Sequence, residues 1–174
     1  MDLPEVFISA AENKRKVYSL IKAGKLRKLS SKLYTSNLVD DAEKVVSRNL
    51  WRIVGLLYPN ALISDRTAIE LKPTSSGTIF VISDKIRPTT IYNITIKPRK
   101  GHPAIDGDNR FMENLFLMSG ERAVLENARV TRTSVGEISR NLSDLELEKY
   151  LDDRITKYGE NAINKMRDRM KEIS

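Results

Sequence analysis

Between residues 9 and 35 the apolar positions Val17, Leu20 and Ile21 recur at helical spacing and form one narrow stripe. Arg15, Ser19 and Lys22 project from the opposite face at about 100° per residue. Ser9 followed three residues later by Glu12 has the spacing of a reciprocal capping box, which predicts a helix start near Ala10. Gly24 supplies the left-handed residue that stops the helix. Lys25 to Leu29 and Lys32 to Thr35 then flank Ser30-Ser31, two polar residues suited to the turn of a hairpin. The pattern predicts a helix running straight into a β-hairpin. Upstream, Val6-Phe7-Ile8 is one short apolar run, fit for a strand or for the end of an earlier support element.

Downstream the period changes twice. Asp40-Asp41-Ala42-Glu43 reads as a second capping box, and Val46, Leu50, Ile53, Val54 and Leu57 continue at helical spacing to Tyr58-Pro59, predicting one long core helix with Trp51 as its packing anchor. Arg48 and Arg52 lie at i and i+4 on its flank, placed for surface pairs or for a nucleic-acid backbone. Ser64 or Asp65 caps a short helix through Leu71. Thr78 to Ser83 and Thr90 to Ile96 are β-branched and aromatic, as two strands joined through Lys85-Ile86-Arg87-Pro88. Leu115 to Met118 gives a third strand, and Gly120 turns into a helix burying Ala123, Val124, Leu125 and Ala128. Ser143 to Glu146 is a third capping box, opening a helix with Leu147, Tyr150, Leu151 and Ile155. A last amphipathic helix carries Ile163, Met166, Met170 and Ile173.

Charge turns the first of these shapes into a functional expectation. Lys14, Arg15, Lys16, Lys22, Lys25, Arg27, Lys28 and Lys32 oppose only Glu12 between residues 9 and 35. Lysines and arginines clustered on a helix and an adjoining hairpin neutralise backbone phosphates and release counterions, so these residues, with Ser19 beside them, are the expected DNA contacts. The plain alternative is a solvated helix and hairpin whose lysines keep the protein soluble. The whole chain carries a formal charge of +7 with a pI near 9.6, which fits a nucleic-acid partner but also an acidic protein or a membrane surface.

Other chemistries find little support. The 174 residues contain no cysteine and a single histidine, His102, which excludes disulfides, thiolate metal sites and histidine-based zinc sites. His102, Asp106, Asp108, Asn109 and Arg110 share one polar loop, but Gly with Asp in a loop is ordinary turn chemistry. Phosphate-loop, dinucleotide-binding, nucleophile-elbow and zinc-protease motifs are absent from the sequence. The expectation is therefore no enzyme, no cofactor and no metal. Neither a secretory signal nor a run of about 18 apolar residues occurs, so a cytoplasmic protein away from membranes is expected.

The run KAGKLRKLSSKLYTSNL, residues 22 to 38, followed by RNLWRIVGLLYPNALISDRTAIE, residues 48 to 70, resembles the N-terminal region of AbiEi-type antitoxins of type IV toxin-antitoxin systems, in the form also found ahead of Fic domains. The resemblance is strongest over residues 9 to 70. It implies a winged-helix module that binds double-stranded DNA and represses its own operon, an α/β antitoxin-like domain behind it, and a toxin encoded by a neighbouring gene. In that family a helix such as Ser119 to Arg132 recurs, followed by a capped helix. Two departures stand out. Only eight residues precede Ser9, so the module is minimal or is completed from further along the chain. KYGENAINKMRDRMKEIS, residues 157 to 174, is similar to the lead-in to a Fic catalytic domain, yet the histidine motif of such a domain does not follow.

The expected architecture is α+β, with a small winged helix-turn-helix module over residues 1–60 and an α/β antitoxin-like domain with C-terminal helices over 61–174. The expected function is that of a DNA-binding, antitoxin-like transcriptional regulator. The alternatives are the regulatory region of a longer Fic-type nucleotidyl-transferring enzyme and a protein-interaction module for an acidic partner.

Overall fold

The computed structural model describes residues 3–127, 139–143 and 145–150. It is a mixed α+β fold built on two sheets. The first sheet contains β1 (Val6–Ile8), β2 (Arg27–Ser30) and β3 (Leu33–Thr35), antiparallel in the order β1-β3-β2. A short 3-10 turn (Ala11–Asn13) and α1 (Lys14–Lys22) connect β1 to β2. The apolar run at Val6-Phe7-Ile8 is thus a strand, with Phe7 opposite Tyr34 and Val6 opposite Thr35. Alternation along it sends Phe7 to one side and Val6 to the other. Phe7 joins Val17 and Leu26 under α1, with Leu20 and Ile21 beside them, while Val6, Leu29 and Leu33 enter the main core.

Three local expectations shift. Ser9 does not cap the helix, because its N–H donates to the Lys32 carbonyl at 2.8 Å and ties β1 to the hairpin. The start is held instead by Asn13, whose side-chain oxygen accepts the Ala10 N–H at 2.9 Å. The hairpin turn falls at Ser31-Lys32 rather than Ser30-Ser31, with Lys32 at φ 63° and a register shift between Lys28 and Ser30. Gly24, at φ 65°, ends α1 as expected, and its N–H returns to the Ile21 carbonyl at 3.0 Å.

The long helix expected after the hairpin is two helices, α2 (Ala42–Arg48) and α3 (Leu50–Leu57). The break is at Asn49, at φ −101° and ψ 19°, whose amide donates to Glu5 Oε2 and to the Val45 carbonyl, both at 2.9 Å. A side chain that competes for its own helix carbonyl favours such an interruption. Trp51 is half-buried and meets Phe111 edge to face at 5.4 Å.

The second sheet holds β4 (Leu62–Ile63), β5 (Thr78–Ile82), β6 (Thr89–Ile91), β7 (Ile94–Arg99), β8 (Asn109–Arg110) and β9 (Phe116–Leu117), in the order β6-β7-β5-β4-β9-β8. The strand expected at Thr90 to Ile96 is a hairpin, turned at Tyr92-Asn93 with Tyr92 at φ 52°. Because β6 intervenes as a reversing strand, β7 pairs with β5 in parallel. β5 is buried at all five positions, as a strand covered on both faces must be. The short helix expected near Ser64 is α4 (Asp65–Glu70), stopped by Leu71 at φ 51°. α4 lies against β5 and against α5 (Gly120–Asn127), in which Ala123 and Val124 are buried. The third capping box forms: the Ser143 hydroxyl and N–H both donate to Glu146 Oε2 at 2.8 Å, ahead of a helix over 145–150. The expectations for Ala128, Leu151, Ile155 and the last amphipathic helix lie outside the described residues.

One continuous core crosses the expected module boundary. Val6 and Leu33 of the first sheet, Val45, Val46, Ile53 and Val54 of α2 and α3, and Leu62, Ile79 and Ile96 of the second sheet belong to the same cluster. Tyr58 is fully buried and its hydroxyl donates to the Arg87 carbonyl at 2.7 Å.

Candidate nucleic-acid interface

Packing of Val17, Leu20 and Ile21 against Phe7 and Leu26 fixes which way α1 faces. Arg15, Ser19 and Lys22, on the opposite side of the helix, are all exposed. Lys14 is exposed on the flank toward the hairpin, while Lys16 lies on the other flank, beside Leu20. Antiparallel pairing of β1 with β3 returns the chain to the hairpin tip just before α1 begins, so the first turns of α1 and the tip lie side by side. Between them runs an open groove of about 620 Å³. One wall carries Lys14, Arg15 and Tyr18 from the helix, and the other carries Lys28, Ser31, Lys32 and Tyr34 from the hairpin. Among the described residues no acidic side chain pairs with Lys14, Arg15, Lys28 or Lys32. Four cations from two elements therefore face one space with no counter-charge among the described residues.

The other expected contact residues are divided. Lys25 is exposed in the turn after α1. Arg27 is occupied elsewhere: its guanidinium donates to the Asp40 carbonyl at 2.9 Å and to the Leu38 carbonyl at 2.8 Å, at the end of the hairpin away from the tip. That side chain holds the loop after β3 in place. Tyr18, 59% exposed with Lys22 Nζ standing 5.0 Å from its ring centroid, was not among the residues expected from charge alone. The signal was available, since Tyr18 falls one residue off the apolar stripe.

Arg48 and Arg52 resolve as protein-internal pairs. Arg48 binds Glu5 through two nitrogens, Nε at 3.2 Å and Nη2, and donates to Asp40 Oδ2 at 2.6 Å through Nη1. Asn37 and Asn49 also donate to Glu5 at 2.9 Å. The Arg48 hydrogen bond first, then that of Asn49, holds the Glu5 carboxyl down at about 2. Arg52 donates to the Val6 carbonyl at 3.2 Å and to Glu113 at 2.9 Å.

The second polar concentration is closed. Asp65 is buried at φ 55° and takes Arg99 through both oxygens at 3.0 Å, with Arg140 at 3.5 Å and the Ser64 hydroxyl at 2.8 Å. Burial works against the charge of Arg99, but the hydrogen bonds and charges of Asp65 and Glu126 outweigh it and raise its pKa above the ordinary guanidinium value. This cluster fastens α4, β7, α5 and residue 140 together. In the loop that held the sequence's one cluster of candidate chemistry, Asp108 is taken up by Arg122 and by the N–H groups of Ile105 and Ser119, at 3.0 and 2.9 Å. Among the described residues, no helix is long and apolar enough to cross a membrane.

Comparison of the chain with protein-family models, with curated proteins and with solved structures gives no match.

Proposed function

We propose that this protein binds double-stranded DNA through α1 and the β2-β3 hairpin, in the manner of a winged helix, and acts as an antitoxin-like transcriptional regulator of its own operon. The observation that carries the DNA part is the groove in which Lys14 and Arg15 of the helix and Lys28 and Lys32 of the hairpin converge without an acidic partner among the described residues. A helix between β1 and β2, followed by a hairpin whose last strand pairs back with β1, supports the winged-helix part. α2 and α3, packed on the other face of the same sheet, serve as its support helices. The regulatory role rests on the resemblance to AbiEi-type antitoxins.

Arg15→Ala combined with Lys22→Ala tests the reading, because both side chains are exposed and neither touches the core. Loss of DNA affinity with an unchanged circular dichroism spectrum is the expected result in mobility-shift titrations. If Arg15 meets a guanine edge, its share is about 1–3 kcal/mol, and less if it meets phosphate alone. Unchanged affinity removes α1 from the interface. If no duplex binds at any salt concentration, the basic face belongs to an acidic protein, and co-purification with the product of the neighbouring gene becomes the deciding measurement.

A further inference from the structure

Among the described residues, Tyr18 takes part in none of the buried clusters. The stripe that holds α1 to its sheet is Val17, Leu20 and Ile21, and Tyr18 lies outside that cluster. A phenol 59% exposed in the midst of lysines carries apolar surface that a fourth lysine would avoid. Its position is specific: at about 100° per residue it falls between the outward row of Arg15, Ser19 and Lys22 and the groove that Lys14 flanks. It forms part of the groove wall, opposite Lys28, Ser31, Lys32 and Tyr34. Lys22 covers one side of the ring and sets a positive charge over it.

We propose that the groove between α1 and the hairpin seats the sugar-phosphate backbone of one strand of duplex DNA, with Tyr18 donating its hydroxyl to a phosphate oxygen and laying its ring against the deoxyribose. This rests on the DNA reading above and assigns a division of labour within it. Lys14, Lys28 and Lys32 neutralise successive phosphates, Tyr18 fixes the register of the strand against the helix, Ser19 and Lys22 are left to face the bases, and Arg15, which lines the groove yet belongs to the same outward row, bridges the two sets. Tyrosine hydroxyls belong to the ordinary set of backbone contacts, which position a protein on the duplex and carry no sequence information. A site that took single strands would use the same ring differently, as a platform for a stacked base, and would need no hydroxyl.

The test is anisotropy titration of the full chain, as wild type, Tyr18→Phe, Tyr18→Ala and Lys14→Gln, against a labelled duplex of about two helical turns and the corresponding single strand, over a range of salt. Tyr18→Phe is expected to weaken duplex binding about three- to tenfold, the scale of one hydrogen bond. It leaves the slope of log K against log salt unchanged, since a neutral donor releases no counterion, while Lys14→Gln lowers the slope by about one. Tyr18→Ala weakens binding further. Thermal melts of both tyrosine variants match wild type, which separates loss of a contact from loss of fold. Equal affinity of Tyr18→Phe and wild type for the duplex overturns the proposal. So does a pattern in which only Tyr18→Ala fails and the single strand is preferred. If the wild-type chain does not bind the duplex in a salt-dependent way, the DNA reading itself falls, and that result is read before any variant is compared.

Discussion

Trp51 is where side-chain type and side-chain setting part company. Its spacing within an apolar helix marks it as core, yet it is half-buried, closed on one side by the Phe111 ring at 5.4 Å and an interplanar angle of 89°. Trp51→Ala should therefore destabilise by about 2–3 kcal/mol, below the roughly 3–5 kcal/mol of a fully buried aromatic. Trp51→Phe, which keeps an aromatic edge for Phe111, should recover part of that. Urea melts check both, and wild-type stability in the alanine variant would mean that the indole packs against nothing of consequence. Gly55, in the same helix, was silent in the sequence because its reason is a distant backbone. A Cβ there would stand 2.3 Å from the Glu113 carbonyl oxygen, so the 3-10 turn Met112–Asn114 lies against bare helix. Periodicity reports which face of a helix is apolar, not which turn of it another segment must approach.

At the scale of elements, what was local was legible. The helix, Gly24 and the hairpin follow from spacing within a few residues, as do α4, α5 and the Ser143–Glu146 box. The errors came from partners distant in the chain for Asn49 and Arg27, and from a tight turn hidden within a β-branched run for Thr90 to Ile96. Asn49 breaks the long helix while bonded to Glu5, and Thr90 to Ile96 turns back on itself at Tyr92-Asn93 instead of running on as one β-branched strand. Arg27 belongs with these. Counting charges places it on DNA beside Lys28 and Lys32, but carbonyls of the loop after β3 take its guanidinium. Lys28→Gln with Lys32→Gln should lower the salt slope of DNA binding by up to about two units, at roughly 0.9 per phosphate. Arg27→Gln should leave that slope alone and lower the melting temperature, because two carbonyls lose a charged donor. A slope that falls with Arg27→Gln and holds with the lysine pair would reverse the assignment.

For the whole molecule, the two sheets share one core and one polar seam, and both bear on how it unfolds. Glu5 precedes β1, Asp40 precedes α2, and Arg48 at the end of α2 joins them. The seam thus pins the edge of the first sheet to the helices that carry the core into the second. Arg48, followed by Asn49, lowers the Glu5 pKa from 4.5 to about 2, and Arg48, followed by Asn37, lowers that of Asp40. A carboxyl whose pKa is depressed by folding stabilises the folded state fully above its unfolded pKa and loses that contribution as pH falls through the folded one. For Glu5 the window runs from 4.5 down to about 2. The urea midpoint should accordingly fall between about pH 6 and pH 3. In Arg48→Met it should start lower and fall less over the same interval, since the largest cause of both shifts is gone while the Asn49 and Asn37 hydrogen bonds remain. A smaller drop should remain from Glu146, whose pKa is lowered by the Ser143 N–H without help from Arg48. At neutral pH the shared core makes unfolding a single event, so the fluorescence of Trp51, the lone tryptophan, and the far-ultraviolet circular dichroism should change at one midpoint. Two separated transitions would show that the first sheet opens independently of the second, and an equal acid drop in wild type and Arg48→Met would show that the seam bears no load.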